Sequence, residues 1–230
     1  MDRRGFGDPL SYTLDVTVRL FAIIRPADRE KSMTRPLSAT IALPDWWDAA
    51  VPAEVVASSA EHRMSFAIAL AERNIAAGTG GPFGAAIFET GSGRLVAAGV
   101  NVVVAASMAI AHAEMVAMAL AGVAIGNHDL AFLGETELVA TTEPCAMCLG
   151  AVGWSGVTSL VCGARDEDAR AVGFDEGAKP AEWVADLTTA GISVTRDVLR
   201  SEAAAVLIRY AESGGVIYNG RAALGAREES

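Results

Sequence analysis

The fold of this chain is decided by two short stretches, Ala111-His112-Ala113-Glu114 and Glu143-Pro144-Cys145-Ala146-Met147-Cys148. His112, Cys145 and Cys148 offer the nitrogen and sulfur ligands that zinc binds in proteins. Zinc is normally four-coordinate, so three protein ligands leave one position for water, and the metal lowers the pKa of that water to about 7. The two stretches therefore predict a catalytic site that holds one Zn²⁺ per chain.

The spacing within each stretch indicates how this site is built. Both stretches lie at predicted helix N-termini, where backbone N–H groups and the helix dipole favour thiolate over thiol. Cys145 and Cys148 are three residues apart, so they share one helix face and can bind the same ion. Glu114 follows His112 by two residues and therefore points beside the metal. A carboxylate in that place can take a proton from water and return it to a leaving amine.

Outward from these stretches, hydrophobic periodicity and turn residues predict an alternation of helices and strands. The predicted helices cover residues 45–77, 111–121, 144–153, 182–189 and 202–212. The predicted strands cover residues 83–88, 95–104, 137–141, 159–163 and 192–198, with a hairpin turn at 90–93. This alternation indicates a mixed sheet that is covered by helices on both faces.

Composition is typical of a globular protein with a sizeable core. The chain has 230 residues, of which 52% are hydrophobic, and its net charge is −10. This acidic balance predicts a small-molecule substrate and no nucleic-acid partner, because affinity for nucleic acid depends on basic side chains. The apolar run at 14–24 is too short and too interrupted to span a membrane. Three cysteines without a disulfide spacing predict a reducing, cytoplasmic location.

His-x-Glu combined with Pro-Cys-x-x-Cys is the signature of zinc deaminases. With Gly80-Gly81-Pro82-Phe83-Gly84-Ala85, Asn101 and Leu149-Gly150-Ala151, the chain resembles the nucleoside and nucleobase deaminase branch of the cytidine deaminase superfamily. The resemblance covers roughly residues 60–178. It implies an α/β fold, a three-layer α/β/α sandwich around a mixed five-stranded sheet, and it implies a homodimer.

Downstream of the cysteines, the stretch from Asp168 to Glu176 resembles the guanine deaminase segment that ends in Gly-Phe-Asp and an acid. The resemblance implies that Glu176 binds the ring or moves protons together with Glu114, with Asp175 beside it. Guanine deaminases commonly have Asp where this chain has Glu176, and the residues from Lys179 onward do not follow them closely. The prediction is therefore a hydrolase of cyclic amidine C–N bonds that releases ammonia from guanine, cytosine, a pterin-like ring or an aminotriazine.

The resemblance also implies which residues contact the ring. Asn101 is expected to hydrogen-bond the substrate, and Phe83 is expected to pack beside it. Gly84 and Ala85 are expected to offer backbone atoms, because small side chains permit close approach. Trp154 is expected either to form a wall of the pocket or to lie in the core.

Three regions are expected along the chain. Residues 1–44 are predicted to be an N-terminal extension of unknown role, and residues 45–215 to be the zinc-dependent deaminase domain. Residues 216–230 are predicted to be a C-terminal tail that contains Tyr218 and Asn219. This tail is a candidate cover for the pocket of its own chain or of a partner.

Two other functions fit part of the pattern. tRNA adenosine deaminases share the metal stretches, but they need a basic surface for the anticodon, which the acidic balance disfavours. A zinc-stapled binding module without chemistry needs a fourth protein ligand. His62, His128 and Cys162 are the remaining histidine and cysteine candidates for that ligand.

Overall fold

A computed structural model describes residues 38–219, so the greater part of the predicted N-terminal extension and residues 220–230 lie outside the described residues. The strands are β1 (Gly84–Glu89), β2 (Leu95–Val100), β3 (Thr136–Thr142), β4 (Ser159–Ala164) and β5 (Ser193–Thr195). Their order across the sheet is β2-β1-β3-β4-β5. β1 is antiparallel to β2 and β3, whereas β4 is parallel to β3 and β5, so the predicted mixed five-stranded sheet is confirmed.

The helices of the described residues cover both faces of this sheet. They are α1 (Trp47–Ala50), α2 (Ala60–Ala76), α3 (Val103–Ala106), α4 (Ala113–Ile125), α5 (Ala146–Ser155), α6 (Asp166–Ala171), α7 (Trp183–Thr189) and α8 (Arg200–Glu212), with a 3-10 turn at Leu130–Leu133. None of the helices in residues 38–219 combines the length and the apolar character that crossing a bilayer requires.

Alternating residues of the central strands build a separate core on each face, as the two-residue period of a strand requires. Phe88 and Val139 point to the face where α2 and α8 pack. Ile87 and Leu138 point to the opposite face, where α4, α5 and α7 pack. The predicted three-layer α/β/α sandwich is therefore confirmed.

The single helix predicted over residues 45–77 is wrong. The chain forms α1 and α2 instead, with non-helical residues between them. Pro52 lacks a backbone N–H and disfavours helix at the residue before it, which separates the two helices. Ser59 then begins α2, because its hydroxyl accepts a hydrogen bond from His62 N at 3.2 Å.

Two strands are shorter than predicted, and one helix lacks a sequence signal. β2 ends at Val100 rather than at residue 104, because the chain turns there into α3. β5 has three residues and pairs only with β4 at the edge of the sheet. α6 is short and begins with three consecutive acids, so it has no apolar stripe from which to predict it.

The strand directions bring the predicted site residues to one end of the sheet. β2, β3 and β4 all run toward this end, and α4, α5 and α6 begin there. β1 starts at the same end, where Gly84 N donates a hydrogen bond to Thr141 Oγ1 at 3.1 Å. A Cβ on Gly84 would lie 2.3 Å from Ala67 O, so only glycine lets α2 pack this closely against β1.

Candidate metal centre and active site

The three predicted zinc ligands lie together at this end of the sheet. His112 Nδ1 is 3.5 Å from Cys145 Sγ and 3.6 Å from Cys148 Sγ, and the three atoms all lie within 4.8 Å of one another. No further histidine, cysteine or carboxylate of residues 38–219 joins this group. Three converging nitrogen and sulfur donors fit one tetrahedral zinc ion with an open position, and they disfavour a four-ligand structural staple.

Helix starts hold all three ligands, as the spacing predicts. His112 is the N-cap of α4, Cys145 is the N-cap of α5, and Cys148 lies in the first turn of α5. Val116 N donates to His112 O at 2.9 Å, and Leu149 N donates to Cys145 O at 2.8 Å. The first hydrogen bonds of each helix therefore fix the backbone of the ligands that precede it.

The contact between the two cysteine sulfurs shifts their pKa values in opposite directions. Hydrogen bonding from the Cys148 thiol lowers the pKa of Cys145 to about 4, and the contact with His112 adds to this effect. The same sulfur–sulfur contact, together with burial, raises the pKa of Cys148. Cys145 is therefore the sulfur of the pair that more readily becomes a thiolate.

Glu114 lies in the first turn of α4, where only 8% of its surface is exposed. Burial raises the pKa of its carboxyl, and the negative charge of Cys145 raises it further. Its side chain lines the same cavity as His112 and Cys145. A buried carboxyl beside a metal site can both accept and return a proton near neutral pH.

A cavity of about 350 Å³ opens beside the metal ligands. Apart from His112, Cys145 and Glu114, its wall comes mainly from the start of β1, the end of β3, the loop after α6 and residues 218–219, with smaller contributions from Val103, Ala109, Ala146 and Met147. It includes Phe83, Gly84, Thr141, Thr142, Glu143, Phe174, Asp175, Glu176, Gly177, Tyr218 and Asn219. The volume lies near the lower end of the roughly 300–1,000 Å³ of small-molecule sites, which suits a single small ring system.

Glu176 faces this cavity from the loop after α6, and 6% of its surface is exposed. Burial raises the pKa of its carboxyl to about 8, with further contributions from the charges of Cys145 and Glu114. Its backbone oxygen accepts a hydrogen bond from Ala146 N at 2.9 Å. The loop that carries Glu176 is therefore attached to the start of α5, one residue after Cys145.

The tail residues Tyr218 and Asn219 reach the cavity of their own chain. Asn219 Oδ1 accepts from Asp175 N at 2.8 Å, and Asn219 Nδ2 donates to Gly173 O at 2.8 Å. The hydroxyl of Tyr218 is buried and has no hydrogen-bond partner among residues 38–219. Burial raises the pKa of this phenol well above its ordinary value, so the group keeps its proton.

Aromatic rings form one side of the cavity. The ring centroids of Phe83 and Phe174 are 4.9 Å apart with an edge-to-face geometry, and those of Phe174 and Tyr218 are 5.3 Å apart. The rings of His112 and Tyr218 are 6.4 Å apart. A flat heteroaromatic ring could pack against this wall while it approaches the metal ligands.

The structure does not bring every predicted contact to the cavity. Trp154 lies in a groove between α4 and α5, where it is 88% exposed. It follows Cys145 by nine residues, which is about 13 Å along α5, so it does not reach the cavity beside the metal ligands. Ala85 is fully buried in the core on the α4 face, and β1 pairs with β2 and β3 at this residue. The expectations of a wall or core role for Trp154 and of a backbone contact from Ala85 are therefore wrong.

Three other residues that were predicted to contact the ring make hydrogen bonds within the protein. Asn101 is 1% exposed and does not line the cavity, and its Oδ1 accepts from Val103 N at 3.3 Å. Gly84 lines the cavity, but its N–H is taken by Thr141. Asp175 also lines it, while its carboxylate accepts from Gly177 N at 2.9 Å and is largely exposed. Ring contacts by these residues stay predictions.

Sequence reasoning missed several residues of the cavity wall. Thr141 and Thr142 directly precede Glu143-Pro144, so their position at the end of a strand beside the ligands was a usable signal. Phe174 belongs to the Gly-Phe-Asp segment already linked to the ring. Tyr218 belongs to the tail that was expected to be a candidate cover for the pocket, and the packing of that tail brings it to the cavity of its own chain.

Comparison with known proteins gives a consistent result. Residues 57–164 match the family model of the cytidine and deoxycytidylate deaminase zinc-binding region. Guanine deaminase from Bacillus subtilis is 37% identical over 122 residues, which cover 50% of this chain and 75% of that protein. The tRNA-specific adenosine deaminase from Haemophilus influenzae is 34% identical over 113 residues, which cover 49% of this chain and 62% of that protein.

Solved structures agree with the sequence relatives. The structure of guanine deaminase from Nitrosomonas europaea has a TM-score of 0.74 and 44% identity, and the match covers 78% of this chain and 100% of that one. A related structure in complex with 2,6-diaminopurine has a TM-score of 0.74 and 48% identity over 79% of this chain and 97% of that one. The metal group, the cavity beside it and these relatives lead to one conclusion: this chain belongs to the cytidine and deoxycytidylate deaminase family and is a guanine deaminase-like, zinc-dependent hydrolytic deaminase.

Proposed function

We propose that this protein deaminates guanine as the free base and releases ammonia. The observation that carries this proposal is the small cavity in which the metal ligands and Glu114 face an aromatic wall and the buried carboxyl of Glu176. The cavity volume of about 350 Å³ suits a purine ring, and we expect Tyr218 and Asn219 in its wall to disfavour an attached ribose. The relatives named guanine deaminase, and the related structure bound to 2,6-diaminopurine, support a purine that carries an amino group.

His112, Cys145 and Cys148 would hold the zinc ion. When it is bound, zinc supplies a Lewis acid and lowers the pKa of water at its open position. Glu114 accepts a proton from water as the ring carbon gains its new bond to oxygen. The same carboxyl then gives the proton to the departing amine, so that the C–N bond breaks and ammonia leaves.

Glu176 and the aromatic wall orient the ring during these proton transfers. The carboxyl of Glu176 is buried and makes no hydrogen bond through its side chain to residues 38–219, so it is available to the polar edge of a purine. The hydroxyl of Tyr218 is equally without a partner, and a substrate heteroatom would satisfy it. The edge-to-face pair of Phe83 and Phe174 offers the ring an apolar contact surface.

Action on tRNA is the less supported alternative. The arginines near Glu176 are already paired with acids: Arg165 with Asp197, Arg170 with Asp166, and Arg200 with Glu167 and Asp168. These pairs leave little positive charge for a phosphate backbone.

We further propose a homodimer in the cytoplasm, as the family resemblance and the reduced cysteines imply. The deaminase domain would cover residues 45–215, and the tail from residue 216 would cover the pocket of its own chain. The contacts of Tyr218 and Asn219 support this role for the tail. Light scattering at several protein concentrations would test the dimer.

An ammonia-release screen tests the proposed function. Zinc-loaded protein is assayed with guanine, guanosine, 2,6-diaminopurine, adenine, cytosine and unmodified tRNA, and Glu114→Ala serves as the inactive control. We expect guanine to give a kcat/KM at least about 100-fold above guanosine and tRNA, because burial in a closed pocket discriminates strongly against added groups. Turnover of tRNA or a nucleoside in preference to guanine would reject the proposal.

A further inference from the structure

Lys179 is the one lysine in residues 38–219, since the chain otherwise uses arginine there. Its side chain is 8% exposed, and its ammonium reaches three separate parts of the fold. Nζ donates to Pro144 O at 3.0 Å, lies 2.6 Å from Asp166 Oδ1, and lies 5.8 Å from the ring centroid of Trp183. Pro144 directly precedes the zinc ligand Cys145, so Lys179 binds the backbone of the metal segment.

The partner acid of Lys179 belongs to a network around the Glu176 loop. Asp166 Oδ2 accepts from Arg170 Nε at 2.5 Å, and Arg170 Nη2 donates to Gly177 O at 2.7 Å. Lys179 and Arg170 therefore hold the loop on its C-terminal side, directly after Glu176. Neither cation is hydrogen-bonded to the carboxylate of Glu176 itself.

We propose that Lys179 is a positioning residue that aligns the carboxyl of Glu176 with the metal segment. The ammonium ties the chain three residues after Glu176 to the carbonyl of the residue before Cys145. The backbone hydrogen bond from Ala146 N to Glu176 O is a second link between the Glu176 loop and the segment that carries Cys145. These two links set the distance between the group that faces the substrate and the ligands that face the metal.

A lysine suits this position for a geometric reason. Its compact tetrahedral ammonium can donate to a carbonyl and to a carboxylate in different directions, while the alkyl stem packs against an indole ring. The planar guanidinium of arginine is larger and presents its donors in one plane. Arg196 occupies the other nearby cation position, where it pairs with Glu143 and lies 5.7 Å from the same indole ring.

The inference rests on the proposed function for the choice of substrate, and a double-mutant cycle tests it. The four proteins are wild type, Lys179→Met, Glu176→Gln and the double variant, each loaded with zinc. Ammonia release from guanine gives kcat and KM, and calorimetry gives the Kd for 8-azaguanine. Zinc content and Tm are measured for every protein. Arg63→Met is the matched control, because Arg63 forms a buried ion pair with Glu137 at 2.8 Å, at the opposite end of β3 from Glu143.

Lys179→Met is expected to lower kcat/KM by about 10- to 100-fold, the usual cost of displacing a group by about an ångström. In the Glu176→Gln background the same substitution is expected to cost less than about 3-fold, since its effect passes through Glu176. Lys179→Arg is expected to recover only part of the loss. Arg63→Met is expected to lower Tm while kcat/KM and the Kd for 8-azaguanine stay near wild type.

Two results would overturn the inference. One is an equal loss from Lys179→Met in both backgrounds, which is the result of a purely structural role. The other is a loss of zinc from Lys179→Met that accounts for the whole fall in activity. If wild type itself does not turn over guanine, the proposed function fails, and the 8-azaguanine affinities across the same four proteins still test the role of Lys179.

Discussion

The metal ligands and the groups around the substrate cavity are positioned by different kinds of structure. The metal half of the site consists of His112, Glu114, Cys145 and Cys148, all within one turn of a helix start. The substrate half consists of Phe83, Phe174, Glu176, Tyr218 and Asn219, which lie in the connection before β1, the loop after α6 and the tail. Helix hydrogen bonds fix the first half, and scattered side-chain contacts fix the second.

Because the two halves are held by different contacts, we expect that changes in one half can leave the other intact. The three ligands and Glu114 depend only on the residues at the starts of α4 and α5. The substrate half depends on contacts such as those of Asn219 with the loop at Gly173 and Asp175, which can change without disturbing the sheet.

The largest effect is expected from removal of a ligand. Cys148→Ala should abolish zinc binding and lower kcat by at least about 10³-fold, because the Lewis acid supplies several kcal/mol of stabilisation. Metal analysis and ammonia release measure both. Cys162→Ala is the matched control, since Cys162 is also fully buried but lies outside the ligand group. If Cys162→Ala also loses zinc, then zinc binding depends on residues beyond the starts of α4 and α5.

Glu114→Gln should lower kcat by about 10²- to 10⁴-fold while zinc content stays at one per chain, because general acid–base catalysis contributes that much. Glu61→Gln is the control, as Glu61 also lies in the first turn of a helix but is exposed. Ammonia release and metal analysis are again the measurements. Loss of zinc in Glu114→Gln would show that this acid supports the metal rather than the proton transfer.

Tyr218→Phe should have opposite effects on stability and binding. Removing a buried hydroxyl without a partner should raise the Tm of the free protein, whereas KM for guanine should rise by up to about 10-fold because one hydrogen bond to the ring is lost. Calorimetry and steady-state kinetics measure the two quantities. Trp154→Phe should change KM by less than about 2-fold, since Trp154 lies in a different groove. A fall in KM for Tyr218→Phe would remove Tyr218 from the substrate half.

The smallest effect concerns pH. The folded-state pKa of Glu176 is about 8, above its ordinary value of 4.5. The folded protein therefore keeps a proton that the unfolded chain loses, so the contribution of Glu176 is fully present below about pH 4.5 and is lost as pH rises to about 8. In metal-free protein, the free energy of unfolding of wild type minus that of Glu176→Gln should fall by about 1 kcal/mol or more over this window. A flat difference in denaturant titrations would contradict the burial of this carboxyl.

Much of the fold is encoded locally. The predicted hairpin, the strands at β1, β3 and β4, and the helices α4, α5, α7 and α8 all appear within a few residues of their expected bounds. The predicted metal group also appears, because His112 and Cys145 directly precede helices whose starts the sequence marks. The break between α1 and α2 depends on Pro52 and Ser59. The helical periodicity of the surrounding residues predicted one continuous helix instead.

The sequence by itself determined the three metal ligands, Glu114 and the layered α/β fold, since each of these depends on short-range spacing and hydrophobic period. Only the tertiary structure decided which residues line the cavity. It turned Trp154 and Ala85 away from the cavity and brought Tyr218 and Asn219 to it from the far end of the chain. The physical reason is that a helix cap is completed by its neighbours in sequence, whereas a cavity wall is completed by segments that meet only when the sheet and its loops pack.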